Sequence, residues 1–202
     1  MSVAAHFDFN QDYILEDNRV VLRPLTNLDA ALLSEYVINE PEIWKYSLVA
    51  IQKPEDLEGY IKTAIQSRMD QNSYAFIVYD KQLKSYVGCT RFYDIQLGFK
   101  TTQLGYTWYS KKVWGTGVNT HCKFLLLQFA FEQMGFMRVE FRADNENKRS
   151  IAAMQKIGCT IEGVLRSHLP KPDGTRRDSI ILSITKEDWE QKNKALITAM
   201  FR

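Results

Sequence analysis

Lys111-Lys112-Val113-Trp114-Gly115-Thr116-Gly117-Val118-Asn119-Thr120 separates two stretches of different character. Before it, Leu104-Gly105-Tyr106-Thr107-Trp108-Tyr109 is rich in aromatic residues and reads as a strand. After it, the run from Cys122 to Phe131 is apolar and free of Gly and Pro, and reads as a buried helix. Glycines between a strand and a helix let the backbone turn sharply and bring its N–H groups close to a ligand. The first N–H groups of the helix have no partner within it and lie at the positive end of its dipole. Such a place suits a phosphate. Two nucleotide motifs are excluded: no Lys-Ser or Lys-Thr pair follows the glycines, and the spacing is not Gly-x-Gly-x-x-Gly. What remains is Lys112-x-x-Gly115-x-Gly117, which a purely steric turn would also satisfy.

Working outward, Asn18 to Leu25 alternates and reads as a strand ended by Pro24, and Leu28 to Ile38 reads as a helix that stops before Pro41. Pro54-Glu55-Asp56 places Pro and acids in the first turn of a helix running to about Met69. Ser73 to Tyr79 and Tyr86 to Ile95 form a hairpin, followed by the strand Gln103 to Tyr109. Beyond the glycine stretch, the helix ends near Gly135 and Arg138 to Arg142 is a short alternating strand. Asp144 to Asn147 is a polar turn, and Arg149 to Ile157 is a helix stopped by Gly158. Thr160 to Leu169 and Asp178 to Ile184 close the sheet as a hairpin around Pro172-Asp173-Gly174. The layout is α+β, an antiparallel meander with one crossover helix that returns a strand in parallel. One domain is expected over 1–202. Its core lies at about 18–190, with a loose N-terminal extension over 1–17 (His6 included) and a C-terminal helix over 187–202.

Composition narrows the function. A chain of 202 residues, 45% hydrophobic and 25% charged, is an ordinary globular protein. A net charge of +2 gives no extended surface for nucleic acid, and no apolar run spans a membrane. Cys89, Cys122 and Cys159 are odd in number and set among apolar neighbours, so reduced thiols and a cytoplasmic location are expected. His6, His121 and His168 lie too far apart for metal-ligand spacing, and no metal is expected.

Three blocks in order resemble the GNAT superfamily of acyl-CoA N-acyltransferases, and within it the RimJ/RimL-type group related to ribosomal-protein N-terminal acetyltransferases. Lys112-Val113-Trp114-Gly115-Thr116-Gly117 is similar to the family's pyrophosphate loop. Asn147-x-x-Ser150, followed by Lys156-Ile157-Gly158-Cys159, resembles its Asn-x-x-Ser helix. Glu162-Gly163-Val164-Leu165-Arg166, Asp173-Gly174 and Arg177-Asp178 resemble its closing hairpin. His121 stands where the family commonly has Glu. The resemblance implies a mixed, mostly antiparallel sheet flanked by helices, with a splayed parallel strand pair at the coenzyme site.

It also implies acetyl-CoA as co-substrate and an amine acceptor, either a protein N-terminus or a small molecule, with a homodimer left open. The diphosphate would rest on the N–H groups of Val113, Trp114, Gly115, Thr116, Gly117, Val118 and Asn119, with Lys112 adding charge. Pantetheine would pair with the strand ending at Trp108 and Tyr109, where a backbone N–H would stabilise the oxyanion. Asn147 would hold the pantetheine arm and Ser150 would protonate the departing thiolate. For the base that takes the amine proton, Glu140 and Glu162 are the first candidates and Asp94 another. Trp44, Tyr46, Phe92, Tyr93 and His168 are candidates for the acceptor pocket. Direct attack in a ternary complex is preferred to an acyl-enzyme, because no cysteine has an activating environment. A non-catalytic acyl-CoA-binding scaffold and a transferase of a longer acyl group are the alternatives.

Overall fold

The computed structural model describes residues 7–201. Eight strands form one sheet in the order β1-β2-β3-β4-β5-β6-β8-β7. They are β1 (Leu15–Glu16), β2 (Val20–Pro24), β3 (Ser73–Asp80), β4 (Ser85–Gln96), β5 (Thr101–Tyr109), β6 (Arg138–Asp144), β7 (Thr160–Pro170) and β8 (Arg176–Thr185). Every neighbouring pair is antiparallel except β5 and β6. The helices are α1 (Asp29–Asn39), α2 (Pro54–Met69), α3 (Val118–Gln128), α4 (Lys148–Lys156), α5 (Lys186–Asp188) and α6 (Lys194–Ala199). This is the α+β architecture expected from the order of elements.

The two faces of the sheet bury different residues. On α2, Leu57, Tyr60, Ile61 and Ala64 recur at helical spacing and pack with Leu33, Ile77 and Trp108 on one face. Asp56 fixes the start of α2, its carboxylate accepting the N–H groups of Gln52 and Lys53. The other face carries the larger cluster, into which α3 buries Val118, Cys122, Leu125, Leu126 and Leu127. A π-helical turn, Phe129–Gln133, continues α3 and places Phe129 and Phe131 in that core. At the far end, Gly158 takes φ +85 and Asn193 packs against it, its amide donating to the Ile157 carbonyl at 2.8 Å.

The described part of the N-terminal segment is no loose extension. Phe7 and Phe9 are buried in the larger core, with Phe7 beside Tyr13, Tyr74 and Phe129, and Leu15–Glu16 adds a strand to β2. Aromatic anchors among polar residues carry no periodicity, so the sequence pattern hides this docking. His6 lies outside the described residues. The segment Ile43 to Ile51 begins in a single 3-10 turn, Pro41–Trp44, and then runs irregularly along the cleft described next.

Candidate active site

Strand β5 ends at Tyr109, and a buried carboxylate sets the turn that follows. Glu40, just after α1, accepts the Ser110 hydroxyl at 2.9 Å and the Lys111 N–H at 2.7 Å. The Trp114 indole donates back to the Tyr109 carbonyl at 2.9 Å. Gly115 and Gly117 then take φ +75 and +93, a left-handed backbone that a side chain would strain, and α3 starts at Val118. The N–H groups of Gly115, Gly117, Val118 and Asn119 reach no acceptor among the described residues, and the first turn of α3 has neither an acid nor a side-chain cap. The loop is therefore an open set of donors at the positive end of a helix dipole.

Beside it the sheet opens. β5 and β6 pair only through Thr101–Gln103 and Arg138–Glu140; beyond Gln103 β5 stays on β4 while β6 follows β8. The gap holds a cleft of about 770 Å³ that runs from the glycine loop between the strands to the opposite face. β5 also bulges there: Cys89 faces Trp108 and Arg91 faces Gly105, so Thr90 stands opposite both Tyr106 and Thr107. Tyr106 has φ +49, a strained conformation held by the Tyr60 hydroxyl on its carbonyl at 3.3 Å and by ring contact with Tyr93 at 5.0 Å.

Helix α4 brings its N-terminus to the same cleft. Asn147 caps it by accepting the Ser150 N–H at 3.1 Å, and both residues line the wall. The Ser150 hydroxyl has no partner among the described residues. The Arg149 guanidinium lies 3.5 Å from the centre of the Trp114 ring and joins α4 to the glycine loop. Lys123 on α3 also lines the cleft; it is buried, 3.3 Å from the Thr107 hydroxyl, and its ammonium faces the Phe141 ring at 5.3 Å. Burial holds its pKa down at about 8.

Several predicted site residues lie elsewhere. Lys112 is exposed and off the cleft wall, its N–H donating to the Ser110 hydroxyl at 3.3 Å, and the Val118 side chain is buried in the core. Neither Glu140 nor Glu162 lines the cleft. Glu140 sits between Arg138 and Arg142, while Glu162 is gripped by Arg138 and Ser183, which hold its carboxyl below the usual range. Two carboxylates placed as candidate bases are thus consumed by a network at the closed end of the β5–β6 pair. Asp94 is exposed and accepts the Gln103 amide at 2.8 Å, away from the wall. Of the aromatic candidates, Trp44, Tyr46 and Tyr93 line the cleft; Phe92 is fully buried, and His168 bonds Ser179 off the wall.

The carboxylate that does line the cleft is Asp144, the last residue of β6. It is buried, one oxygen accepts the Glu146 N–H at 2.9 Å, and the other has no partner among the described residues. Strand alternation held the signal: 138, 140, 142 and 144 share one face, and the polar turn residues after 144 masked its membership. His121, in place of the family's Glu, lines the loop end of the cleft with its Nδ1 at 2.6 Å from Asp17 and its ring stacked on Phe201. Cys122 and Cys159 are buried thiols whose pKa is pushed up to about 12, and burial also raises that of Cys89, which leaves no activated nucleophile among them.

A glycine loop opening a helix, a splayed parallel pair with a bulge and a cleft through the sheet define an acyl-CoA transferase fold. Residues 19–160 match the acetyltransferase (GNAT) domain family, and the chain belongs to it. It is an N-acetyltransferase of that family. Over 180 residues it is 28% identical to the Bacillus subtilis (strain 168) protein named "Putative ribosomal N-acetyltransferase YdaF", covering 86% of this chain and 95% of the relative. The fold is shared with a GCN5-related N-acetyltransferase from Brucella melitensis (22% identity, TM-score 0.85, 95% of this chain and 86% of that one). It is also shared with Mycobacterium smegmatis RimJ, solved in complex with CoA-disulfide (20% identity, TM-score 0.80, 95% and 94%).

Proposed function

We propose that the protein binds acetyl-CoA through the cleft and passes the acetyl group directly to a primary amine held on the opposite face of the sheet. The acceptor amine belongs to a protein N-terminus or a small molecule, and the reaction proceeds in a ternary complex. The observation that carries this reading is the continuity of the cleft, which joins the open donors at Gly115, Gly117 and Asn119 to the unpartnered oxygen of Asp144.

In this reading the loop donors hold the diphosphate, with Arg149 and Trp114 flanking it. The unpaired edge of β5 from Leu104 to Tyr109 takes the pantetheine amides as an added strand would. Asn147 braces α4 against the arm. Backbone N–H groups at the β5 bulge face the thioester oxygen as its charge develops. Asp144 accepts the proton that an ammonium must lose before its nitrogen can attack, directly or through one water. The amine nitrogen bonds to the acetyl carbon and the carbon–sulfur bond breaks; Ser150 gives its proton to the departing thiolate and is reprotonated, through water, by the second proton that the nitrogen sheds as the amide forms. The three buried unpaired thiols suit a reducing cytoplasm, and the whole chain acts as one acyltransferase domain.

The test is release of free thiol from acetyl-CoA with a panel of primary amines, with the products weighed by mass spectrometry. Acetylated amine formed in proportion to thiol supports the reading. Acetyl-CoA binding without thiol release from any amine would leave a coenzyme-binding scaffold instead.

A further inference from the structure

On the face of the sheet that receives the amine, two guanidinium groups meet the cleft without a carboxylate partner of their own inside it. Arg177, at the start of β8, is 8% exposed, yet it forms no ion pair among the described residues. Its Nε donates to the Ser179 hydroxyl at 2.9 Å, and its two terminal nitrogens reach no acceptor and are not sealed from the cleft they line. Arg142 lies on the same face by register: it pairs with Ile181, four residues along β8 from Arg177. Only its Nε is used, on Glu140 at 2.6 Å, and its fork also lines the cleft. Tyr93 and Tyr106 stand beside the pair. Burial and the nearby Arg142 lower the pKa of Arg177, so the fold keeps a cation there at an energetic disadvantage. Asp144 attracts it but lies beyond ion-pair distance.

A buried guanidinium with an unfilled fork is stabilised when a carboxylate or phosphate fills it. We infer that Arg177 and Arg142 form an anion subsite, so that the acceptor is a primary amine that also carries an anionic group. This rests on the reading of the cleft as the transferase site. Its amine meets Asp144 and its anion meets the two arginines, so a zwitterionic molecule is selected at both ends. Glu140 neutralises part of Arg142, which makes Arg177 the stronger determinant.

The test compares acceptors with and without an anionic group: γ-aminobutyrate with its amide, phenylalanine with phenylalaninamide, and phosphoethanolamine with ethanolamine. The best anionic acceptor should exceed its neutral partner at least about tenfold in kcat/KM. Arg177→Met should abolish that preference through KM and leave the KM for acetyl-CoA unchanged; Arg142→Met should reduce it. Carboxylate and phosphate arms show which anion is read. Binding of the N-acetylated form of each acceptor, measured by calorimetry with CoA present, reads the same preference without turnover. Absence of any preference in both measurements, or a preference that survives in the double variant, overturns the subsite. Failure of all thiol release with the binding preference intact would count against the transferase reading and leave the subsite standing.

Discussion

At the residue scale, Lys123 and Asp144 show how position decides the work of an ordinary side chain. Lys123 has no ion pair among the described residues, and burial lowers its pKa from 10.5 to about 8. The unfolded chain therefore holds this proton more tightly than the folded one. The sign follows: the penalty is fully present below about pH 8 and is relieved as pH rises from there toward 10.5. Lys123→Met should raise stability at pH 7 by up to about 3 kcal/mol, with the advantage shrinking above pH 8 in paired denaturant titrations. A pH-independent difference would show that burial of the charge is not what costs. Asp144→Asn should lower kcat about 10²-fold with acetyl-CoA affinity intact, whereas Ser150→Ala should slow turnover by less, since water can protonate a thiolate. If both variants instead lose affinity for acetyl-CoA, the two residues bind the coenzyme and do not move protons. The family resemblance pointed to Ser150 through the Asn147-x-x-Ser150 motif. The sequence pattern pointed away from Asp144 because a turn-forming run follows it directly.

At the scale of elements, most of the chain was legible because each helix and strand has a local cause. Pro54 and Asp56 start α2, Gly158 ends α4, and alternation from Arg138 sets the face of β6. Contacts between distant residues left no such trace: Glu40 reaches Ser110 across 70 positions, and Asp17 reaches His121 across 104. The glycine loop was legible as a pattern, but its geometry changes what a variant will do. Space around Gly117 is open, with only His121 within 4 Å of an added Cβ, so an alanine there meets backbone strain and no clash. Gly117→Ala should cost about 1–2 kcal/mol of stability through the left-handed conformation. It should also weaken acetyl-CoA binding by several-fold as the N–H groups of Gly117 and Val118 shift. Calorimetric affinity equal to wild type would remove the loop from the diphosphate site.

At the scale of the molecule, the site depends on the sheet opening between β5 and β6, and the N-terminal segment bears on the elements beside that opening. Phe7 packs against β3 and the turn after α3 with Phe9 at its edge, and Asp17 holds His121 in the first turns of α3 next to the glycine loop. Residues that read as an extension are therefore part of both the core and the frame of the coenzyme site. Burying a large apolar side chain contributes about 1.5–3 kcal/mol, so Phe7, Phe9 and Leu15 together represent a large share of a domain stability of about 5–15 kcal/mol. Removal of the residues before Asn18 should lower the melting temperature sharply. Saturating acetyl-CoA should restore part of the loss, because a ligand at about 100 times its Kd adds about 2.7 kcal/mol to the state that binds it. A segment that merely trails from the domain would leave melting and coenzyme affinity unchanged on removal. The packing of Phe7 and the Asp17–His121 contact would then not hold the fold. A loss of stability with affinity unaltered would assign the segment to the core alone and detach it from the loop.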